Sequence, residues 1–501
     1  MKRINYFAMS LLASAALAFT GCSSEDVING NTENNEAVDG YYMTLTVKTP
    51  KATGTRTVQD GATLETGTQD ENFITNGTIY VYDGNTCVFR QKINATDWVQ
   101  EDGTYGEWDK DKNEGTTRPI KVSVNGVVQN KTYQVYFLAN VQDGDTKYPN
   151  PLGTNTTIDG KAADCSGANK FYMFNQYDNS KELGHSTVVF TEESRNENQQ
   201  VHASTIYLDR VVARVDAPNT TNATTIKQKD NTTTTKNITD IVDKVEFSGY
   251  ALSNLSTKSY LVQNWATSSS TPWKVNIPND NSYDKTSAHY GTTYKAENVD
   301  NWAITTNEYV FENAATTPAN ATSMYFKFKV TLKEPTGTQN PADFTDGTFY
   351  RYNHTIYRSL KDLLAVTQQD NSQDVWPFMK EDNSGVAMTA EEAIALFKDA
   401  NGNLKSESEL ESLRSKYLIE VYRGGMAYYK QIIEDQYNTF TATNQYSILR
   451  NSVYKLTVNN IWDLGKDVPN GPDPTDEYYY WMDVTVTVNP WVVSNQTVDL
   501  Q

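Results

Sequence analysis

Stretches in which apolar and polar residues alternate one for one recur along this chain, and that period places every second side chain on one face of an extended strand. The first is Tyr42-Met43-Thr44-Leu45-Thr46-Val47-Lys48-Thr49, with Met43, Leu45 and Val47 on one face. Others fall at 77–82, 120–124 and 132–140, separated by acidic and Gly/Asn-rich loops. A longer strand runs through 206–216, with Arg210 and Arg214 on one face. A second β-rich region opens at 242–250. Near the end, 447–461 reads as a strand entered from a polar turn, and 482–493 alternates strictly through Val484, Val486 and Val488.

Helical period is confined to the second half. Thr389-Ala390-Glu391-Glu392 is a capping box: the Thr hydroxyl and the Glu392 carboxylate can each satisfy a backbone N–H that lacks a partner at a helix start. Ala393, Ile394 and Phe397 give the helix an apolar side, and it ends before Asn401-Gly402. Residues 407–417 form a second helix or turn of helix.

The breaks in pattern divide the chain. Residues 23–40 are polar and aperiodic. The loop Pro50-Lys51-Ala52-Thr53-Gly54-Thr55-Arg56-Thr57 is rich in small, Gly and Pro residues, the composition of exposed connections that proteases cut, and Arg56 offers a basic side chain there. The Thr/Asn/Lys-rich run 219–240 reads as a linker or long loop and puts a domain boundary near Asp216. The run 465–474, Gly465-Lys466-Asp467-Val468-Pro469-Asn470-Gly471-Pro472-Asp473-Pro474, cannot extend a regular element and reads as a hinge before the last strand.

At the other end, Lys2 and Arg3 precede an apolar stretch at 11–19 and small residues up to Gly21-Cys22, the order of a secretory signal. The apolar stretch is far shorter than the roughly 20 residues a spanning helix needs. Phe19-Thr20-Gly21-Cys22 resembles a lipobox, in which the Cys22 thiol receives a diacylglycerol and becomes the new N-terminus. The mature chain is then expected outside the cytoplasm.

Composition narrows the rest. Aromatic residues make up 12% of the 501, with 32 Tyr, and Thr, Asn, Val and Gly are abundant, which favours strands and turns over helices. With three cysteines, one of them Cys22, only Cys87 and Cys165 remain for the body, either bridged or free, so no disulfide framework holds the fold. A net charge of −19 argues against binding a phosphate backbone, so no nucleic-acid partner is expected. At about 100–200 residues per domain, the body after residue 56 holds two or three.

No constellation carries catalysis. His185, His202, His289 and His354 are far apart, with no His-Glu-x-x-His helix and no Cys-x-x-Cys pair to hold zinc. Gly160-Lys161-Ala162 lacks the spacing and the hydroxyl residue of a phosphate loop. Asp399-Ala400-Asn401-Gly402-Asn403 opens like a calcium loop, yet its twelfth position is Leu410 where a bidentate Glu is required. There is no Gly-x-Ser-x-Gly elbow, and scattered carboxylates do not define a glycosidase pair. The expectation is a protein that is not an enzyme and needs neither metal nor cofactor.

The residues at both ends carry a resemblance. Arg450-Asn451-Ser452-Val453-Tyr454, the Pro/Asp-rich hinge, the Val-x-Val-x-Pro-Trp strand through Trp491 and Val493, and the ending Val498-Asp499-Leu500 resemble the fimbrilins of the Bacteroidales type V pilus group, specifically the major subunit of the short fimbriae. Arg210-Val211-Val212-Ala213-Arg214-Val215 fits the same plan, as do the lipobox, the first strand and the Arg-containing loop. Ser23-Ser24-Glu25-Asp26 looks like the export tag of surface lipoproteins in that order of bacteria. Between 219 and 440 the likeness is one of architecture, without motifs.

The resemblance implies a mainly β fold: two β-sandwich domains, Greek-key and transthyretin-like, with a short helical insertion in the C-terminal one. Its divisions are a lipoprotein signal at 1–21, a propeptide with the first strand at 22–56, an N-terminal domain at 57–216 and a C-terminal domain at 217–501. It implies a precursor anchored in the outer membrane through Cys22, cut between Arg56 and Thr57 by an Arg-specific surface protease. Loss of the first strand (Met43, Leu45, Val47) opens a groove for the C-terminal strand of another copy, roughly residues 482–500. The inserted side chains would be Val484, Val486, Val488, Trp491, Val493, Val498 and Leu500. Its expected partners are further copies head to tail and the anchor and tip subunits of a cell-surface fimbria that supports adhesion.

The same logic stands on physics. A sandwich stripped of one strand exposes unpaired backbone groups and an apolar slot, a template for strand addition, and head-to-tail donation propagates instead of closing. Other readings are a monomeric surface lipoprotein that binds glycan or host protein, which has no reason to lose its anchor, and a tip or adaptor subunit, which need only accept a strand. A secreted glycosidase would need two carboxylates about 5–10 Å apart in a cleft.

Overall fold

The computed structural model describes residues 39–49 and 65–492, apart from 110, 112, 126, 154–155, 178–181, 228–234, 266–274, 280–282, 285–301, 303–304, 368–377, 379, 381–385, 435–445 and 470–481. The fold is mainly β, with a short helical region in the C-terminal half. No described helix is long and apolar enough to cross a membrane.

The N-terminal part is built on a nine-stranded sheet. Its main path runs Thr86–Ile93, Gly77–Asp83, Thr132–Ala139, Met173–Asn175, Val201–Arg210, Gly40–Lys48 and Glu114–Thr116. Ser186–Val189 joins Thr132–Ala139, and Ile120–Ser123 joins Gly40–Lys48. Both ends of this sheet feed one core: Ile79, Val81 and Phe137 from one side, Met43, Leu45 and Ala203 from the other. Cys87 and Cys165 are buried in it, and no disulfide joins them.

The expected strand at 206–216 is two strands. Val201–Arg210 belongs to the first sheet; Val211 and Val212 are buried in the first core; Ala213–Val215 then enters a second sheet. That sheet runs Glu308–Val310, Ala213–Val215, Ser452–Ile461, Met482–Val492 and Glu65–Thr66. Across a second core that includes Tyr250, Phe326, Leu456 and Val486 lies a three-stranded sheet of Val242–Ser253, Ser323–Leu332 and Met426–Ile432.

The helical region has its own core, in which Leu360, Phe397 and Leu410 meet Tyr350 and Val421. The helix Ala390–Phe397 starts on the Thr389/Glu392 capping box and Glu407–Tyr417 follows, both as the pattern predicts. A third helix, Leu360–Thr367, starts on Ser359, whose hydroxyl accepts the Asp362 N–H at 3.1 Å, and sequence reasoning missed it. Buried charge ties this region down: Arg414 pairs with Asp467 at 2.5 Å and Glu407 at 2.7 Å, and Asp467 also accepts the Val421 N–H at 2.8 Å.

Two expected breaks are packed instead. Within 219–240, Ala223, Ile226 and Ile238 are buried in the second core, and Asn219 and Ile226 bridge to Thr457 and Ile461. A few apolar residues in a Thr/Asn-rich run suffice to dock it, so its described parts are not a free linker. The start of the expected hinge is likewise fixed, with Tyr428 and Lys466 exchanging backbone hydrogen bonds at 2.8 Å and Asp467 buried. Residues 470–474 of that run lie outside the described residues.

Candidate functional site

The first strand, Gly40–Lys48, is an inner strand. Along one edge it runs parallel to Val201–Arg210, from Met43 beside Val201 to Lys48 beside Tyr207. Along the other it is antiparallel to Ile120–Ser123 and then to Glu114–Thr116. Its alternation is the reason it lies there: Met43, Leu45 and Val47 are each 0% exposed, and Tyr41 stacks on Phe190 with Arg195 beside its ring.

Two further contacts grip the middle of the strand. Between its two antiparallel partners, buried Thr117 donates its N–H to the Leu45 carbonyl at 2.9 Å, and its hydroxyl accepts the Leu45 N–H at 3.1 Å. On the parallel edge the His202 ring lies 2.8 Å from the Thr44 hydroxyl and 3.4 Å from that of Thr46. Thr49 closes the strand, donating its N–H to the Asn113 carbonyl at 3.1 Å. The predicted cleavage pair Arg56 and Thr57, and Cys22, lie outside the described residues.

The last strand, Met482–Val492, is fully paired on one side and barely on the other. It pairs antiparallel with Ser452–Ile461 from Ile461/Met482 to Ser452/Pro490, whereas among the described residues its other side pairs with Glu65–Thr66, at Trp491 and Val492. Val486, Val488 and Trp491 are buried and Val484 is half-buried. Of the predicted donor residues, Val493, Val498 and Leu500 lie outside the described residues. Within its own chain, then, the predicted donor lies next to the last strand of the second sheet, and lending it requires that it leave Ser452–Ile461 and Glu65–Thr66.

The end of this strand reaches the first core, where the two motifs that carry the resemblance meet. Arg210, 0% exposed, donates to the Glu71 carbonyl at 3.1 Å, Asn451 Oδ1 at 2.9 Å and the Trp491 carbonyl at 3.2 Å, and also to Asn72. Its guanidinium lies 4.0 Å from the centre of the Trp491 ring, and Trp491 stacks on Tyr309. Arg214 pairs with Glu71 at 3.1 Å and Asp216 at 2.7 Å, and Tyr309 donates to Glu71 at 2.6 Å. Nearby, Arg450 pairs with Glu312 at 2.7 Å and donates to the Leu261 carbonyl at 2.9 Å.

The residue types follow from burial. Charges can sit in such a joint only if paired and fully hydrogen-bonded, and arginine's planar fork serves several acceptors at once. Burial works to raise Glu71, but Tyr309, Arg214 and Arg210 outweigh it and hold the carboxyl below its usual range. Sequence reasoning singled out Arg210, Arg214, Arg450 and Asn451 without seeing their shared purpose, and it missed Glu71, Asp209, Tyr309 and Glu312. Glu71 had a signal: Thr68 and Glu71 form a capping box on the one-turn helix Gln69–Asn72.

Asp209 is a buried carboxyl at this joint. Its Oδ1 accepts from Asn451 at 2.8 Å and Gln176 at 3.1 Å, whereas its Oδ2 has no hydrogen-bond partner among the described residues. Burial pushes the carboxyl up, against the pull of Arg450 and Arg210, to about 8. A raised folded pKa gives stability that is complete below the unfolded value of about 4 and is lost as pH rises through the folded one. Wild type should therefore lose stability relative to Asp209→Asn between about pH 5 and 8. Urea melts of both proteins at pH 5, 6.5 and 8 test this; a gap that stays constant with pH would refute it.

Residues 420–497, which contain the last two strands and Arg450-Asn451, match the family model described as "Major fimbrial subunit protein type IV, Fimbrillin, C-terminal". Over this segment the resemblance to fimbrilins is shown. Among solved structures, a fimbrilin (FimA) from Porphyromonas gingivalis is 14% identical over 92% of this chain and 100% of that one, with a TM-score of 0.40. The tip fimbrial protein Mfa3 of the same organism, with a C-terminal truncation, is 11% identical over 90% of this chain and 99% of that one, with a TM-score of 0.33. No curated protein matches the chain.

Proposed function

We propose that this chain is a structural subunit of the shaft of a cell-surface fimbria that supports adhesion, that it has no enzymatic activity, and that it polymerises by strand exchange. The precursor is exported, lipidated at Cys22 and held at the outer membrane. An Arg-specific protease cuts after Arg56, which detaches Gly40–Lys48 from the rest of the chain. The vacated slot then takes the C-terminal strand of another copy, and anchor and tip subunits end the series.

The observation that carries this reading is the difference between the two strand positions. At home the last strand has a full ladder on one side and, among the described residues, a pairing of two residues on the other. The first strand's slot is an inner one, with ladders on both sides. Moving from the first kind of position to the second gains backbone pairing while keeping an apolar face buried. The match of residues 420–497 to a fimbrial subunit family supports the same class of function.

The test is to treat the precursor lacking its signal with an Arg-specific protease. Wild type should acquire Thr57 as its N-terminus and form ladders and filaments, and Arg56→Ala should stay monomeric. A trimmed protein that remains monomeric would overturn the reading in favour of a monomeric surface lipoprotein.

A further inference from the structure

We propose that the vacated groove accepts the incoming strand in one register, with Val484 in the place of Leu45, and that Thr117 in the groove and Pro490 in the strand fix it. This rests on the strand-exchange reading and adds to it the residues that decide alignment. A register slip of one residue would turn the apolar face outward, so the allowed slips are of two residues.

The two strands match best in that alignment. Tyr41-x-Met43-x-Leu45-Thr46-Val47 lies against Tyr480-x-Met482-x-Val484-Thr485-Val486 in sequence, identical at Tyr, Met, Thr and Val. Tyr480 itself precedes the described part of the last strand. Met482, Val484 and Val486 would enter the places of Met43, Leu45 and Val47, all 0% exposed. Thr485 would take the place of Thr46, whose hydroxyl lies 2.8 Å from that of Thr116 and 3.4 Å from the His202 ring.

The groove penalises slips in both directions. Thr117 presents a buried hydroxyl that accepts one backbone N–H, at the place of Leu45. Proline has no N–H to give. In the proposed register Pro490 falls beyond the place of Thr49, outside the ladder. A slip of two toward the C-terminus of the incoming strand puts Pro490 at Thr49 and leaves the Asn113 carbonyl without its donor. A slip of four puts it at Val47, opposite Gly115, and a slip of six sets it on Thr117 itself. The opposite slip of two brings Trp481 to the place of Thr44, which is 6% exposed and held by His202.

Cross-linking of the trimmed full chain reads the register directly. With Thr116→Cys in the groove, Thr485→Cys should give disulfide-linked ladders on oxidation, and Thr487→Cys should give few or none. Ladders through Thr487→Cys instead, or equally through both, would overturn the register while leaving strand exchange intact. Filaments absent from every variant and from the trimmed wild type would overturn strand exchange itself. As a second readout, Thr117→Val leaves the incoming N–H unpaired and should weaken subunit association roughly ten-fold or more, whereas Thr117→Ser should restore it. Equal assembly by Thr117→Val and wild type would remove Thr117 from the role.

Discussion

Replacing Arg210 by alanine is expected to destabilise the protein by about 3–5 kcal/mol, the range for removing one partner from a buried, hydrogen-bonded charge cluster. The loss has three parts. The Glu71 and Trp491 carbonyls and the Asn451 and Asn72 side chains lose their shared donor. Glu71 keeps Arg214 and Tyr309 but loses the support of the Arg210 charge. The Trp491 ring loses the guanidinium 4.0 Å from its centre. Arg210→Lys should recover less than half of the loss, because a single ammonium cannot reach four acceptors and stack as well. Trp491→Ala should be non-additive with Arg210→Ala, since both remove the same contact. Urea unfolding of the single and double mutants measures these terms. An Arg210→Ala loss below about 1 kcal/mol would mean that the cluster is not what joins the two sheets.

Much of this architecture was legible because it rests on period. Met43, Leu45 and Val47 alternate with Thr44 and Thr46, and the alternation alone puts three of them in a core. The Thr389/Glu392 cap marks its helix for the same reason: local chemistry satisfies local backbone. What stayed hidden depends on distance along the chain. Arg210 and Asn451 are separated by 241 residues and no local pattern says that they touch. The strand predicted at 206–216 carries Asp209 and Arg210 before its valines, and Val211-Val212 gives no sign that the chain changes sheets there. In the 219–240 run, Ala223, Ile226 and Ile238 are too sparse for a period to emerge, yet each finds a place in the second core.

The candidate site shows the same division. Its two strands were readable from their valines, leucine and methionines, but how fully each is paired on its two sides was not. Strand neighbours decide that, and strand neighbours come from topology. Thr117 was invisible because its role is to bridge a gap between Glu114–Thr116 and Ile120–Ser123, where the antiparallel ladder is interrupted. The second of two threonines before an Arg-Pro pair carries no signal of that.

If the first strand is the plug of an assembly groove, the trimmed monomer should be markedly less stable than its precursor and should be rescued by peptide. Met43, Leu45 and Val47 are fully buried, and burying each such side chain is worth about 1.5–3 kcal/mol, so their removal puts about 5 kcal/mol or more at stake before any ladder hydrogen bond is counted. A peptide spanning residues 40–49 added to the trimmed, monomeric fraction should raise its melting temperature in a saturable way. A peptide of residues 480–492 should do the same, because it presents Met482, Val484 and Val486 at the same spacing. At one hundred times its dissociation constant either peptide adds about 2.7 kcal/mol. The 480–492 peptide carrying Val484→Asp should give no rise, since a carboxylate would have to enter the place of Leu45 unpaired. Thermal melts with and without each peptide decide the matter. A trimmed protein that melts with its precursor would mean that the first strand is dispensable and the slot closes by itself. A trimmed protein that melts lower but responds only to the 40–49 peptide would locate the groove correctly and exclude the last strand as its occupant.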